Sequence, residues 1–165
     1  KAYFELLKVS QYKSEGFNKA VMTNLITKYF SVSYEDKLAK GKQIINAPGG
    51  VAERLANILR EVKPVTFLLD EYKDVTVGLI ESDNLTSDLT SLAGTVIYSK
   101  MGFNVAALIN TAKDSDSTII SLRSNGKVNV ASVATMHVTK GVAISGGGHA
   151  SAAGLCVPKG TLVFT

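Results

Sequence analysis

The hydrophobic pattern of the chain changes at Pro64, and this change constrains the fold more than any other feature. Beyond it, runs rich in β-branched and aliphatic residues predict four strands: VTFLLD, DVTVGLIES, FNVAALINTA and STIISLRS. Further patterns predict a helix over SDLTSLAGTVIYSKM, a helix over VASVATMHVTK and a last strand at about residues 160–164. Strands mixed with helices in this order predict an α/β domain with a mixed sheet of about five strands and flanking helices.

The part of the chain before Pro64 has apolar residues three and four positions apart, which predicts a helical segment. Its predicted helices cover residues 2–9, 17–30, 33–47 and 51–62, and the last two are separated by Pro48-Gly49-Gly50. We therefore expect a helical segment over residues 1–63 and an α/β domain over residues 64–165.

Composition and missing motifs limit the chemistry. Cys156 is the single cysteine, which excludes an internal disulfide and a cysteine-based zinc site and fits a reducing compartment. No apolar run approaches the ~18 residues of a membrane span, so we expect a cytoplasmic protein without a membrane partner. Neither His137 nor His149 has a carboxylate near it in sequence, so no metal is expected on this chain. The common nucleotide-binding loops and the nucleophile-elbow motif do not occur.

The charged residues are distributed unevenly along the chain, whose net charge is +4. The 49 residues from Ser117 to Thr165 contain four Lys or Arg residues and no Asp or Glu. A surface without carboxylates favours an anionic ligand. Buried strands and short loops would also lack acidic residues, so charge alone leaves both interpretations open.

A run of three glycines followed by a histidine, SGGGHASAAG at residues 145–154, is the first candidate binding site. Glycine has no side chain to block a ligand, so the N–H groups of Gly146, Gly147 and Gly148 can converge on a phosphate, with the small residues after them beginning a helix. His149 can donate a hydrogen bond to the same anion. The alternative interpretation is a flexible glycine hinge beside an exposed histidine.

A second candidate site lies at the end of the fourth predicted strand, in SLRSNGK. Arg123, flanked by Ser121 and Ser124, offers a guanidinium group and hydroxyl groups that can clamp a second phosphate or a base edge. The alternative is an ordinary surface arginine.

Together these residues resemble a known family. The stretch from Ser121 to Gly154, with a strand ending in S-L-R-S, a short helix and then G-G-G-H-x-x-A-A-G, is similar to the DHH-associated C-terminal domain of the DHH phosphoesterases. That family includes RecJ-type exonucleases, nanoRNases and cyclic-dinucleotide phosphodiesterases. Segments upstream also resemble it, so the likeness covers roughly residues 38–165.

The resemblance implies a role for each residue that matches the motifs. Substrate phosphate would be bound by Gly146, Gly147, Gly148 and His149, and His149 is also a candidate transition-state stabiliser. Arg123, with Ser124 beside it, would contact phosphate or base. No catalytic residue is implied here, because the Asp-His-His motif that holds Mn²⁺ in the family is absent from the sequence. Residues 1–63 would link this chain to a catalytic DHH domain preceding it.

The function implied by the resemblance is substrate recognition for a manganese-dependent phosphodiesterase, with this chain inactive by itself. The expected partners are the DHH domain and a nucleotide or short single-stranded oligonucleotide, and a homodimer is left open. The substrate is left open among a linear oligonucleotide, a cyclic dinucleotide and a mononucleotide. The alternative function is a non-catalytic module that binds RNA or other nucleic acid, like those appended to alanyl-tRNA synthetases.

Overall fold

The computed structural model describes residues 33–112 and 115–165. The chain divides into two units, Lys1–Arg54 and Leu55–Thr165. The second unit holds every strand of the sheet described below. The division of domains at residue 63 stays a prediction.

Two helices precede the sheet, as the spacing of apolar residues predicts. Helix α1 spans Tyr34–Ile45, and helix α2 spans Val51–Leu59. The hydroxyl of Ser33 accepts a hydrogen bond from the N–H of Asp36 at 3.1 Å, which is the side-chain cap expected at the start of a helix. The other two predicted helices, at residues 2–9 and 17–30, lie outside the described residues.

A six-stranded mixed sheet forms the second unit. Its strands are β1 (Lys63–Thr66), β2 (Thr76–Ser82), β3 (Val105–Asn110), β4 (Ser117–Ser124), β5 (Ser145–His149) and β6 (Ala152–Pro158). They lie in the order β1-β2-β3-β4-β6-β5, and the β2–β3 pair alone is parallel. Helix α3 (Ser87–Lys100) connects β2 to β3, and helix α4 (Val130–Thr139) connects β4 to β5. The predicted α/β class with a mixed sheet and flanking helices is confirmed.

The C-terminal strands differ from the prediction. The glycine run forms the edge strand β5, and the small residues after it form β6 rather than the start of a helix. Glycine and alanine are poor strand formers, and the run lacks the alternation of apolar and polar residues that marks a strand. Its conformation is set by pairing with neighbouring strands. Residues 160–164, predicted as a strand, make a single bridge, from Phe164 to Phe67.

Helices α3 and α4 cover opposite faces of the sheet. On β3, Leu108 lies against α3 beside Gly94. The preceding residue of β3, Ala107, belongs to an apolar cluster with Val133 and Ala134 of α4. Successive residues of a strand point to opposite faces, so the two helices pack on opposite faces, and α3 lies over β3 and β4. None of the described helices is long and apolar enough to cross a membrane.

A histidine of α4 is buried. The ring of His137 lies 5.6 Å from that of Phe67, its Nδ1 lies 2.8 Å from the carbonyl oxygen of Val133, and its Nε2 has no hydrogen-bond partner among the described residues. Burial lowers the pKa of His137 below its usual 6.5 and outweighs the opposing effects of the Val133 carbonyl and the Glu71 carboxylate. Folding therefore favours the neutral imidazole.

This burial predicts a pH-dependent stability. In the unfolded chain His137 becomes protonated near pH ~6.5, and in the folded chain it does so only at a lower pH. The contribution of the neutral imidazole to the free energy of unfolding is therefore fully present above about pH 6.5 and decreases as the pH falls below that value. We expect urea denaturation to give a smaller free energy of unfolding at about pH 5 than at about pH 7.5, and His137→Leu to reduce the difference. The matched control is His149→Leu, which removes the other histidine at an exposed position, and His137→Leu should change the pH dependence more than this control does. An unchanged pH dependence in His137→Leu would contradict this account.

Candidate functional site

Arg123 and His149 lie in one row across three adjacent strands. Arg123 of β4 pairs with Ala152 of β6, and Ala152 pairs in turn with His149 of β5. Directly paired residues of antiparallel strands have their side chains on the same face of the sheet. Two strand spacings separate the Cα atoms of Arg123 and His149, or roughly 10 Å. The structure therefore brings together the two candidate side chains that the sequence indicated separately.

The sheet face beside this row is open. Gly147 of β5 pairs with Gly154 of β6, and a Cβ atom placed on either glycine would meet nothing within 4 Å. On the other side of Gly154 its partner is Ser121 of β4. Arg123, His149 and Ser121 thus border a patch of bare backbone that a ligand can approach closely. We call this surface the open face.

The three strands of the open face all come from the part of the sequence without carboxylates, residues 117–165. The sequence left two explanations for that absence, a binding surface or simple burial. Ile119 on β4 is 62% exposed, and His149 is also exposed. The acid-free stretch therefore includes positions that face solvent, where an acidic residue could be accommodated.

Arg123 is positioned by a glycine of α3 that the sequence prediction missed. A Cβ atom at Gly94 would lie 2.9 Å from Cγ and 3.1 Å from Cβ of Arg123, so the arginine stem packs directly against the helix backbone. The Nη1 group of Arg123 donates a hydrogen bond to the carbonyl oxygen of Leu122 at 2.9 Å. A glycine within a helix lowers the stability of the helix by about 1 kcal/mol relative to alanine. The presence of Gly94 inside a predicted helix was therefore the sequence signal that could have indicated a packing role.

Ser124 does not belong to the open face, and its role as a ligand-binding residue stays a prediction. It follows Arg123 directly in β4, so its side chain points to the opposite face, where it is buried. Its hydroxyl lies 2.6 Å from the carbonyl oxygen of Val128 and 3.3 Å from that of Ala150, and it accepts a hydrogen bond from the N–H of Gly126. Its N–H donates to Ser151 in the β5–β6 turn. Ser124 thus holds the turn that follows His149.

The other two glycines of the run have packing roles. Gly148 has a φ of +145°, and a Cβ atom there would lie 2.5 Å from the carbonyl oxygen of Ala152, so no other residue fits. A Cβ atom at Gly146 would lie 3.2 Å from the carbonyl oxygen of Ala134 in α4. The glycine run therefore serves as a strand that packs closely against a helix and a neighbouring strand, while Gly147 faces the open side.

The described part of the chain contains no group of three or more His, Cys, Asp or Glu side chains that could hold a metal ion. His137 is buried on the α4 side of the sheet, whereas His149 is exposed on the open face. The open face presents a guanidinium group, an imidazole and exposed backbone, which are groups that can bind an anion.

Gly94→Ala tests how Arg123 is positioned. Alanine favours the helix, but its Cβ atom collides with the arginine stem, and overpacking of this kind costs about 1–3 kcal/mol. We expect a lower free energy of unfolding and a shifted Nε–H resonance of Arg123 in NMR spectra. The matched control is Ser91→Ala, an exposed site on the same helix, which should leave both unchanged or slightly raise stability. A Gly94→Ala chain as stable as the wild type, with an unmoved Arg123 resonance, would refute this positioning role.

Comparison with known proteins agrees with these features. The DHHA1 domain family matches residues 42–162. A solved structure, the pGpG-specific phosphodiesterase PggH from Vibrio cholerae, has a similar fold, with a TM-score of 0.50 and 11% sequence identity over 90% of this chain and 48% of that chain. The present chain thus spans about half the length of that enzyme. No curated protein matches it by sequence.

Proposed function

The chain belongs to the DHHA1 domain family of the DHH phosphodiesterases, and from this we propose that its open face recognises the phosphate of a nucleotide or short oligonucleotide. The observation that carries the proposal is the row formed by Arg123, Ala152 and His149 on a face without carboxylates. A guanidinium group offers two parallel donors to phosphate oxygens, and an imidazole offers an N–H. Both groups border the same patch of backbone.

The bare backbone at Gly147 and Gly154 gives the phosphate group access to the sheet. A side chain at either position would occupy the open face, because the two glycines pair directly. This arrangement differs from a glycine loop at a helix start, because the ligand is met by the surface of a sheet and by side chains rather than by the dipole of a helix.

Within a phosphodiesterase, the contribution of this chain is to bind and orient the substrate and to neutralise charge on its phosphate, through Arg123 and His149. We place Mn²⁺, which would supply the chemistry of bond cleavage, on a DHH domain that lies outside these 165 residues. That domain would be the partner of this chain in the complete enzyme.

The nucleotide pGpG is the first ligand to test. The enzyme PggH is described as specific for pGpG, which is a linear dinucleotide with a 5′-phosphate. The likeness between PggH and this chain concerns the fold, so pGpG is chosen as a representative short oligonucleotide.

Arg123→Ala and His149→Ala should each weaken the binding of pGpG. A charge-assisted hydrogen bond contributes about 1.5–3 kcal/mol, so we expect a loss of roughly tenfold or more in affinity, measured by isothermal titration calorimetry on the 165-residue chain. The matched control is Lys127→Ala, which removes the same charge from the exposed turn after β4 and should change affinity little. If Lys127→Ala weakens binding as much as Arg123→Ala does, the affinity reflects overall charge and the proposed site is wrong.

The 165-residue chain should not hydrolyse pGpG in the presence of Mn²⁺. The measurement is separation of nucleotide products by chromatography, with the chain at a concentration that saturates the nucleotide. Measurable turnover that persists after repeated purification, and that disappears in His149→Ala, would show that the chain holds its own catalytic centre and would overturn the division of roles proposed above.

A further inference from the structure

Helix α4 ends in a backbone cap that connects it to β5, and His137 supplies the main acceptor of that cap. The carbonyl oxygen of His137 accepts hydrogen bonds from the N–H groups of Val142 and Ala143, at 2.9 and 3.1 Å. Gly141, whose φ is 71°, donates its N–H to the carbonyl oxygen of Val138. This is the Schellman motif, in which a glycine in the left-handed region ends a helix. The connection from α4 to the glycine run is therefore held by the backbone of His137.

The ring of His137 is held by one hydrogen bond and by apolar neighbours. The carbonyl oxygen of Val133 can only accept a hydrogen bond, so Nδ1 carries the proton of the neutral ring and Nε2 carries none. Nε2 is buried without a partner among the described residues. The adjacent ring of Phe67 belongs to an apolar cluster against which Val142 and Phe164 pack. A second proton on the imidazole would therefore place a charge and an unsatisfied N–H in this cluster.

Charged side chains lie beside this cluster, on the turn before β2 and at the end of α4. Nζ of Lys140 lies 2.8 Å from a carboxylate oxygen of Glu71, and Asp70 also attracts Lys140. The hydrogen bond from Lys140 lowers the pKa of Glu71, so this ion pair persists in weak acid. Burial lowers the pKa of His137 more than the Glu71 carboxylate raises it. Tyr72, the other titratable residue of this turn, lies with its ring in the same aromatic group.

The end of α4 is in direct contact with β5. A Cβ atom at Gly146 would lie 3.2 Å from the carbonyl oxygen of Ala134, so the strand backbone packs closely against the helix turn that leads to the buried histidine. The N–H of Ile144, at the start of β5, donates a hydrogen bond to β6. Opening of the cap would free the residues just before Ile144 and would loosen the beginning of the strand that ends at His149.

We propose that His137 is an acid-sensitive switch, in which uptake of a proton from solvent moves the ring out of the apolar cluster, opens the cap of α4 and loosens the start of β5. The closed state holds the neutral ring, and the open state exposes the protonated ring to water. Acid therefore favours the open state. Because β5 carries Gly147 and His149, the switch would also regulate the open face. That consequence rests on the proposed function, whereas the switch itself does not.

Hydrogen exchange of the wild-type 165-residue chain, followed by NMR without any ligand, tests the switch. The probes are the N–H groups of Val142, Ala143 and Ile144, and the reference is Leu108 in the middle of the sheet. We expect the probes to exchange through a local opening that depends little on urea, whereas Leu108 exchanges through global unfolding. After correction for intrinsic exchange, the protection of the probes should fall several-fold from about pH 7.5 to about pH 5.5, with about tenfold as the limit for one proton taken up near pH ~6.5.

Two variants identify the group that takes up the proton. His137→Leu keeps an apolar side chain in the cluster and cannot titrate, so the protection of the three probes should no longer depend on pH. The matched control is Glu71→Gln, which removes the neighbouring carboxylate and its ion pair with Lys140 but leaves the imidazole. This control should keep the pH dependence of the wild type.

Three results would overturn the switch. The first is protection of the probes equal to that of Leu108, which would show that global unfolding alone exposes them. The second is a local opening in the wild type that does not change with pH. The third is a pH dependence that survives in His137→Leu or disappears in Glu71→Gln. The binding of pGpG is measured separately, so the switch and the proposed function can fail independently. The wild-type comparison decides the first two results even if His137→Leu does not fold.

Discussion

The antiparallel pairing of β4, β6 and β5 is the constraint on which the candidate site depends. Ala152 of β6 lies between Arg123 and His149, and each pairing fixes the face on which the candidate side chain lies. Because side chains alternate along a strand, a shift of one residue in either pairing would place Arg123 or His149 on the opposite face, beneath α4. The same shift would move buried residues such as Leu122 and Leu155 out of the core, so apolar burial holds the register of the site.

The turn between β5 and β6 is held by the segment that follows Arg123. The carbonyl oxygen of Ala150 lies 3.0 Å from the N–H of Val130, at the start of α4, and the Ser124 hydroxyl also contacts it. The start of α4 is itself fixed, because the Asn129 side chain accepts hydrogen bonds from the helix N–H groups of Ala131 and Ser132. The short segment directly after Arg123 therefore positions the hairpin that carries His149.

How far the sequence predicts this structure depends on the kind of residue. The first four predicted strands correspond to β1–β4, because valine, isoleucine and threonine mark them, although β1 begins and ends earlier than predicted. Strands β5 and β6 were not predicted because glycine and alanine have low strand propensity. The pairing of these two strands with β4 also depends on residues more distant in the chain. Ser124 was predicted to bind the ligand together with Arg123 because the two residues are adjacent in sequence. Adjacent residues of a strand point to opposite faces, and sequence position alone did not show this. The role of Gly94 depends on a contact with β4 that sequence spacing does not show.

The packing of Arg123 bears on how strongly a sheet surface can bind an anion. A long side chain on an exposed strand loses rotamer freedom when it binds, at a cost of about 0.5–1.5 kcal/mol. Here the stem is already confined against Gly94, and one guanidinium N–H already bonds the Leu122 carbonyl oxygen. A guanidinium group has five N–H donors, so that bond leaves the others for phosphate oxygens. The glycine in α3, which weakens the helix locally, thus reduces the side-chain entropy that ligand binding would remove. A cation held in this way on an open sheet face would bind the proposed phosphate with more specificity than a mobile surface lysine or arginine.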